Sequence, residues 1–221
     1  MNDFTGHPNQ RLATEKLISE LAHQRNDGQQ RPFALDLVLI SRFLIAAVMA
    51  VITVIVISRP RADLAVVWTS WAFQYKVIGM LLLIGGGIHM TRSASIPGSV
   101  IKPALTLFPA FLFLACGLAF DSSGFPMMGT HVLAVPVCVG TIIAASLGPL
   151  LVLLLVIRRG VPTRPRLAGG VAGLLSGSIG ALAYTLACIN DGAGFVMLWY
   201  TLAIAIVSAI GAIIGAKALS W

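Results

Sequence analysis

The sequence predicts an all-α membrane protein: a polytopic bundle of six transmembrane helices, preceded by a short cytoplasmic amphipathic helix. Three observations predict it. Of the 221 residues, 57% are hydrophobic and 10% charged, against roughly 45–50% and about 25% in soluble domains, so one small core cannot hide the excess. Six apolar stretches each come close to the roughly 20 helical residues that cross a hydrocarbon core about 30 Å thick. The 15 Lys and Arg residues gather at the ends of those stretches, which accounts for the net charge of +7 through topology and without direct nucleic-acid binding.

From the N-terminus, residues 8–26 read as the amphipathic helix. Ala13, Leu17, Ile18 and Leu21 form one stripe, Arg11, Glu15 and Gln24 lie opposite, and Asn26-Asp27-Gly28 supplies a stop. A helix this short is marginal alone in water, so the stripe needs a surface to lie on. Two are open: membrane lipid, which Arg11, Lys16 and Arg25 suit, and a groove on a soluble partner. The polar segment is too long for a cleaved signal and is expected in the mature protein. The expected division is a cytoplasmic segment, 1–34, and a membrane domain, 35–221.

The spans are expected at 37–58, 72–90, 103–120, 132–157, 167–189 and 196–216, separated by breaks such as Arg59-Pro60-Arg61, Asp121-Ser122-Ser123-Gly124 and Asn190-Asp191-Gly192. With the N-terminus inside, 12 of the 15 Lys and Arg residues fall on the inner side and only Arg59, Arg61 and Lys76 on the outer. That asymmetry predicts a bacterial inner (plasma) membrane protein with both termini cytoplasmic. Trp68, Trp71, Trp199 and Tyr200 then mark the outer interface and Trp221 the inner, while Arg42 and Lys76 are expected to snorkel to the nearer surface. Pro109, Pro136 and Pro149 predict kinks in the third and fourth spans. Gly169, Gly173 and Gly177 in the fifth span, with Gly211 and Gly215 in the sixth, predict close backbone approach, either inside the bundle or at a homodimer seam.

No ionisable residue is expected at mid-span, which argues against an ion-coupled transporter or pump. No nucleotide loop, HExxH, Ser/His/Asp arrangement or cofactor motif is present, so neither an enzyme nor a bound cofactor is expected. A small permease or channel for an uncharged solute is the alternative reading. Of the three cysteines, Cys138 lies 24 residues before Pro162 and Cys188 lies 26 after it, so at about 1.5 Å per residue their heights agree within roughly 3 Å. Cys116 and Cys138 lie 10 before and 12 after Pro126 in the same way, which places all three in the outer leaflet, open to oxidants or soft metal ions. For any single one of them, packing as a small, weakly polar residue is the favoured reading. Depth alone leaves their pairing open, because a disulfide needs Cα atoms within about 7 Å.

The C-terminal half carries Arg158-Arg159-Gly160-Val161-Pro162-Thr163-Arg164-Pro165, the Gly169/Gly173/Gly177 helix, Cys188 with Asp191, Phe195, Trp199-Tyr200, then Gly211, Gly215 and Trp221. In this order it resembles the negative regulator of sigma F (NrsF) family of six-span membrane anti-sigma factors. Thr14-Glu15-Lys16-Leu17-Ile18-Ser19-Glu20-Leu21-Ala22 also resembles that family's N-terminal helix. The resemblance implies a membrane-integrated anti-sigma factor that sequesters an extracytoplasmic-function (ECF) sigma factor and releases it on envelope stress. It implies that Ala13, Leu17, Ile18 and Leu21 bind the sigma factor. It further implies that Cys138 and Cys188 sense the signal, as a thiol pair open to oxidant or as the ligands of a soft metal ion.

Overall fold

The computed structural model describes residues 14–17, 19–20, 32–95, 102–121, 124–158 and 164–219; among these there are helices and turns and no strand. Ala13, Ile18, Leu21 and Trp221 lie outside the described residues. The chain divides into two compact units, 1–41 and 42–221. In the first, residues 14–17 and 19–20 are helical and exposed, Leu17 among them.

Helix α1 (Pro32–Ile57) opens on a proline, whose missing N–H has no acceptor to lose in a first turn. A short α2 (Leu64–Val67) follows, then α3 (Trp71–Ser95), α4 (Pro103–Ala119), α5 (Ala134–Arg158) and α6 (Pro165–Tyr184). The last helix joins α7 (Ala193–Phe195), a π-helical turn (Val196–Tyr200) and α8 (Thr201–Ala218). Four helices are long and apolar enough to cross a membrane: Trp71–Ser93, Ala134–Arg158, Pro165–Tyr184 and the joined Ala193–Ala218. Ser41–Ile57 and Pro103–Ala119 are shorter apolar helices. Val56, Leu105, Phe108, Leu151 and Ile213 are each more than half exposed, an apolar exterior larger than water tolerates.

Two expectations need correction. Pro136 sits in the first turn of α5, where backbone N–H groups have no intrahelical acceptor, so among the described residues only Pro109 and Pro149 interrupt a helix from within. The fifth apolar stretch stops being helical at Tyr184, five residues before the expected 189. There the Cys188 N–H donates to Tyr184 O at 3.0 Å and the chain turns, so Cys188 lies on a connection beyond the helix.

Helix α6 packs against α3, α5 and α8 and is buried over most of its length. Its glycines explain how. A Cβ on Gly215 would stand 2.7 Å from Gly169 Cα, and one on Gly211 would stand 3.0 Å from Gly173 Cα, so the two backbones meet with no room for a side chain. Ser208 Oγ crosses the same seam to donate to Gly170 O at 2.8 Å. The glycine stripe is therefore filled from within the chain. On the far side of α5, Ala46, Ala50 and Val54 form a buried face of α1 at four-residue spacing, and Met49 closes over Gly148.

Candidate functional site

The connections after α1, α4 and α6 meet at one end of the second unit. Asn190 Oδ1 accepts hydrogen bonds from the Thr130 N–H at 3.0 Å and from the Thr130 hydroxyl at 3.2 Å. Asp121 Oδ2 accepts from the Ala193 N–H at 2.7 Å, at the start of α7. Trp199 Nε1 donates to Met127 O at 2.8 Å, so this ring is fixed to the neighbouring connection. Together these bonds hold the 185–192 connection in place.

Into that end come two buried cations. Arg61 follows α1 by four residues, and its backbone N–H donates to Leu186 O at 3.1 Å. All five guanidinium N–H groups are used: Nε and Nη2 fork onto Asp63 at 2.7 and 2.8 Å, Nη1 and Nη2 reach Asp191 at 3.1 and 3.2 Å, and Nη1 also donates to Cys188 O at 3.1 Å. Lys76, expected to snorkel outward, is instead 0% exposed. Its Nζ donates to Asp191 Oδ1 at 2.6 Å and to Cys188 O at 3.3 Å. A buried ammonium is tolerable only when paired, and Asp191 supplies the pairing charge for both cations. Hydrogen bonding to Asp63 is the main reason that the Arg61 guanidinium is held above its ordinary range, and the same fork holds the Asp63 carboxyl below the usual carboxylate range.

Cys138, from the first turns of α5, and Cys188, from the 185–192 connection, are both buried, and neither forms a disulfide. Their thiols lie close enough for each to act directly on the other, and the Lys76 ammonium acts on both. The Cys188 Sγ donates to Asn190 O at 3.7 Å. Tyr184 and Tyr200 close the surroundings, their rings 6.0 Å apart. Tyr200, expected at the outer interface, is fully buried. A recess of about 270 Å³ beside Tyr184 is lined by Ser58, His131, Ile189 and Asn190, among others. Cys116 is exposed on α4.

Of the residues singled out from the sequence, the fold thus brings Cys138 and Cys188 together and leaves Leu17 exposed. No group of three or more His, Cys, Asp and Glu side chains that could hold a metal ion occurs among the described residues. Two adjacent thiols suit a soft cation, though they offer only two sulfur ligands. Sequence reasoning missed Lys76, Asp191 and Tyr200. The available signal for the first two was a cation just inside an apolar stretch and an acidic residue in a connection assigned to the same side.

Comparison with known proteins bears on the whole chain. Residues 24–221 match the family described as "Negative regulator of sigma F" (NrsF). The "Anti-sigma-F factor NrsF" of Caulobacter vibrioides is 28% identical over 217 residues, which cover 95% of this chain and 100% of that one. The "Probable anti-sigma-F factor NrsF" of Azospira oryzae is 48% identical over 60 residues, a stretch spanning 27% of this chain and 28% of that relative. No solved structure matches. With nine-tenths of its length matched, the chain belongs to the NrsF family, the negative regulators of sigma F.

Proposed function

We propose that this chain is an anti-sigma factor of the inner membrane: six spans with both termini in the cytoplasm, an N-terminal arm that sequesters an ECF sigma factor, and a thiol pair, Cys138 and Cys188, that receives the envelope signal. Family membership and a relative named as an anti-sigma-F factor along its whole length support the partner class. The six-span topology is supported by four long apolar helices and two shorter ones. The 17 residues of α4 give about 26 Å of helix, close to the hydrocarbon thickness. The orientation is supported by the outer side's small basic complement, three of the 15 Lys and Arg residues.

The observation that carries the reading is the juxtaposition of the thiol pair with the end of α1. Arg61 holds the carbonyl of Cys188 and follows α1 by four residues, and the other end of α1 leads to the arm. Two signals act on the thiols with simple chemistry. A peroxide joins the sulfurs as a disulfide and leaves as two waters, taking both thiol protons. A soft divalent cation forms two sulfur–metal bonds and displaces the same two protons, with no electron exchanged. Either shifts Cys188, and Arg61 and Lys76 both grip its carbonyl. The shift therefore reaches α1 through Arg61 and changes how Ala13, Leu17, Ile18 and Leu21 are presented. Moving the population from 1:99 to 99:1 requires about 5.5 kcal/mol of differential free energy.

The test is capture of a sigma factor by the full-length protein in detergent, with and without thiol oxidant or metal. Capture is expected to fall on treatment, to persist in Cys138→Ser/Cys188→Ser despite treatment, and to vanish when residues 1–31 are deleted. Capture that survives the deletion would refute the role of the arm.

A further inference from the structure

The thiol pair has a neighbour that neither signal chemistry above uses. Tyr200 is 0% exposed, and it lies against both Cys188 and Cys138. Its hydroxyl makes no hydrogen bond of ordinary geometry among the described residues, and the side chain it acts on is the weakly accepting Cys188 thiol. Buried hydroxyls are rarely left so, and tyrosine is usually carried inside a protein where its O–H finds an acceptor. Tyr200 also closes the π-helical turn Val196–Tyr200. A π turn inserts an extra residue into the helix and so resets which side chains face a given neighbour; such turns concentrate at functional sites. Two features of one residue, a hydroxyl that meets only a weak sulfur acceptor and a place at an irregular turn, thus single out Tyr200 beside Cys188.

A neutral thiol is a weak acceptor, whereas a hydrogen bond to an anion is about twice as strong as one between neutral groups. The resting pair therefore gives the Tyr200 hydroxyl little to bind, and a sulfur that has lost its proton gives it much. We propose that Tyr200 belongs to the thiol site as a positioning residue, its hydroxyl donating to the Cys188 sulfur when Cys138 and Cys188 hold a soft divalent cation. The proposal rests on the reading of Cys138 and Cys188 as the sensing pair. In the step, two S–H bonds break and two sulfur–metal bonds form. Two protons leave to solvent, and Tyr200 keeps its own proton while sharing it with sulfur.

The test uses the full-length protein in detergent micelles with Cd²⁺ as the probe, comparing wild type, Tyr200→Phe and Cys138→Ser/Cys188→Ser. Phenylalanine keeps the ring and its packing and removes only the hydroxyl. Tyr200→Phe is expected to weaken Cd²⁺ binding by roughly tenfold, the scale of one charge-assisted hydrogen bond. The same variant without metal is expected to melt at or above the wild-type temperature, since it loses a buried polar group that only a weak acceptor meets. A purely structural tyrosine would do the reverse. Unchanged Cd²⁺ affinity overturns the proposal, and so does a metal-free variant that melts lower, because the hydroxyl then has a bond in the resting fold. If wild type binds Cd²⁺ no better than the double serine variant, the proposal is overturned, whereas the sensing-pair reading fails only if thiol oxidant also leaves sigma-factor capture by wild type unchanged.

Discussion

Replacing Asp191 with Asn removes the carboxylate that both buried cations share. Lys76 Nζ, 2.6 Å from Asp191 Oδ1, is left with the Cys188 carbonyl at 3.3 Å, while Arg61 keeps its fork on Asp63. Removing one partner of a buried ion pair costs about 3–5 kcal/mol, because the other charge is stranded. Lys76 is 0% exposed, which puts Asp191→Asn toward the upper end of that range. Lys76→Met leaves a carboxylate 16% exposed that still accepts two bonds from Arg61, which puts it at the lower end. For a unit the size of residues 42–221, each kcal/mol moves the melting temperature by roughly 2–4 °C, so losses of about 6–20 °C are expected. The double variant Lys76→Met/Asp191→Asn strands no charge and should lose less than the sum of the single losses. The assay is thermal unfolding of the three variants and wild type in one detergent, followed by tryptophan fluorescence. If Asp191→Asn melts within about 2 °C of wild type, or if the two single losses simply add, Lys76 and Asp191 are not the coupled buried pair described above.

Three further outcomes follow from other parts of the structure. Arg61→Lys keeps the charge but has three donors for the five hydrogen bonds made here, so it should retain sigma-factor capture while its release by thiol reagents falls severalfold; release equal to wild type would remove Arg61 from the transmission route. Gly173→Val would press its Cβ to within 2.5 Å of Val207 O and 2.6 Å of Ser208 Cα, backbone atoms that cannot rotate away, and should abolish the folded yield, whereas Gly85→Ala meets nothing within 4 Å and should fold at least as well as wild type. Arg61 lowers the Asp63 carboxyl from its ordinary value near 3.9, so that pair contributes stability above about pH 4 and loses it as pH falls through the lowered value; between pH 7 and 3 the melting temperature should fall further in wild type than in Asp63→Asn.

Much of the helical plan was legible because lipid imposes a simple rule on sequence: apolar for about twenty residues, then a break. Pro103–Ala119 and Ala134–Arg158 lie within two residues of their expected ends. The four-residue glycine spacing likewise foretold the α6–α8 seam, since only glycine permits that approach. The depth arithmetic set Cys138 and Cys188 at one height, although it treated Cys188 as helical and the chain in fact turns after Tyr184. Rotation about the helix axis was what the sequence withheld. Lys76 looked like a snorkelling residue because nothing in its own helix indicates that Asp191, 115 positions later, waits on the inward side. Tyr200 looked like an interfacial aromatic for a related reason, since the π turn that carries it into the interior has no simple residue signature.

Arg61 and Lys76 carry two positive charges, and Asp63 and Asp191 carry two negative ones. An electric field across a bilayer does work only on the net charge displaced, about 2.3 kcal/mol per elementary charge carried through 100 mV. A quartet summing to zero and moving as one body can therefore shift along the membrane normal almost free of electrical work. Changes in membrane potential should accordingly leave its resting position untouched.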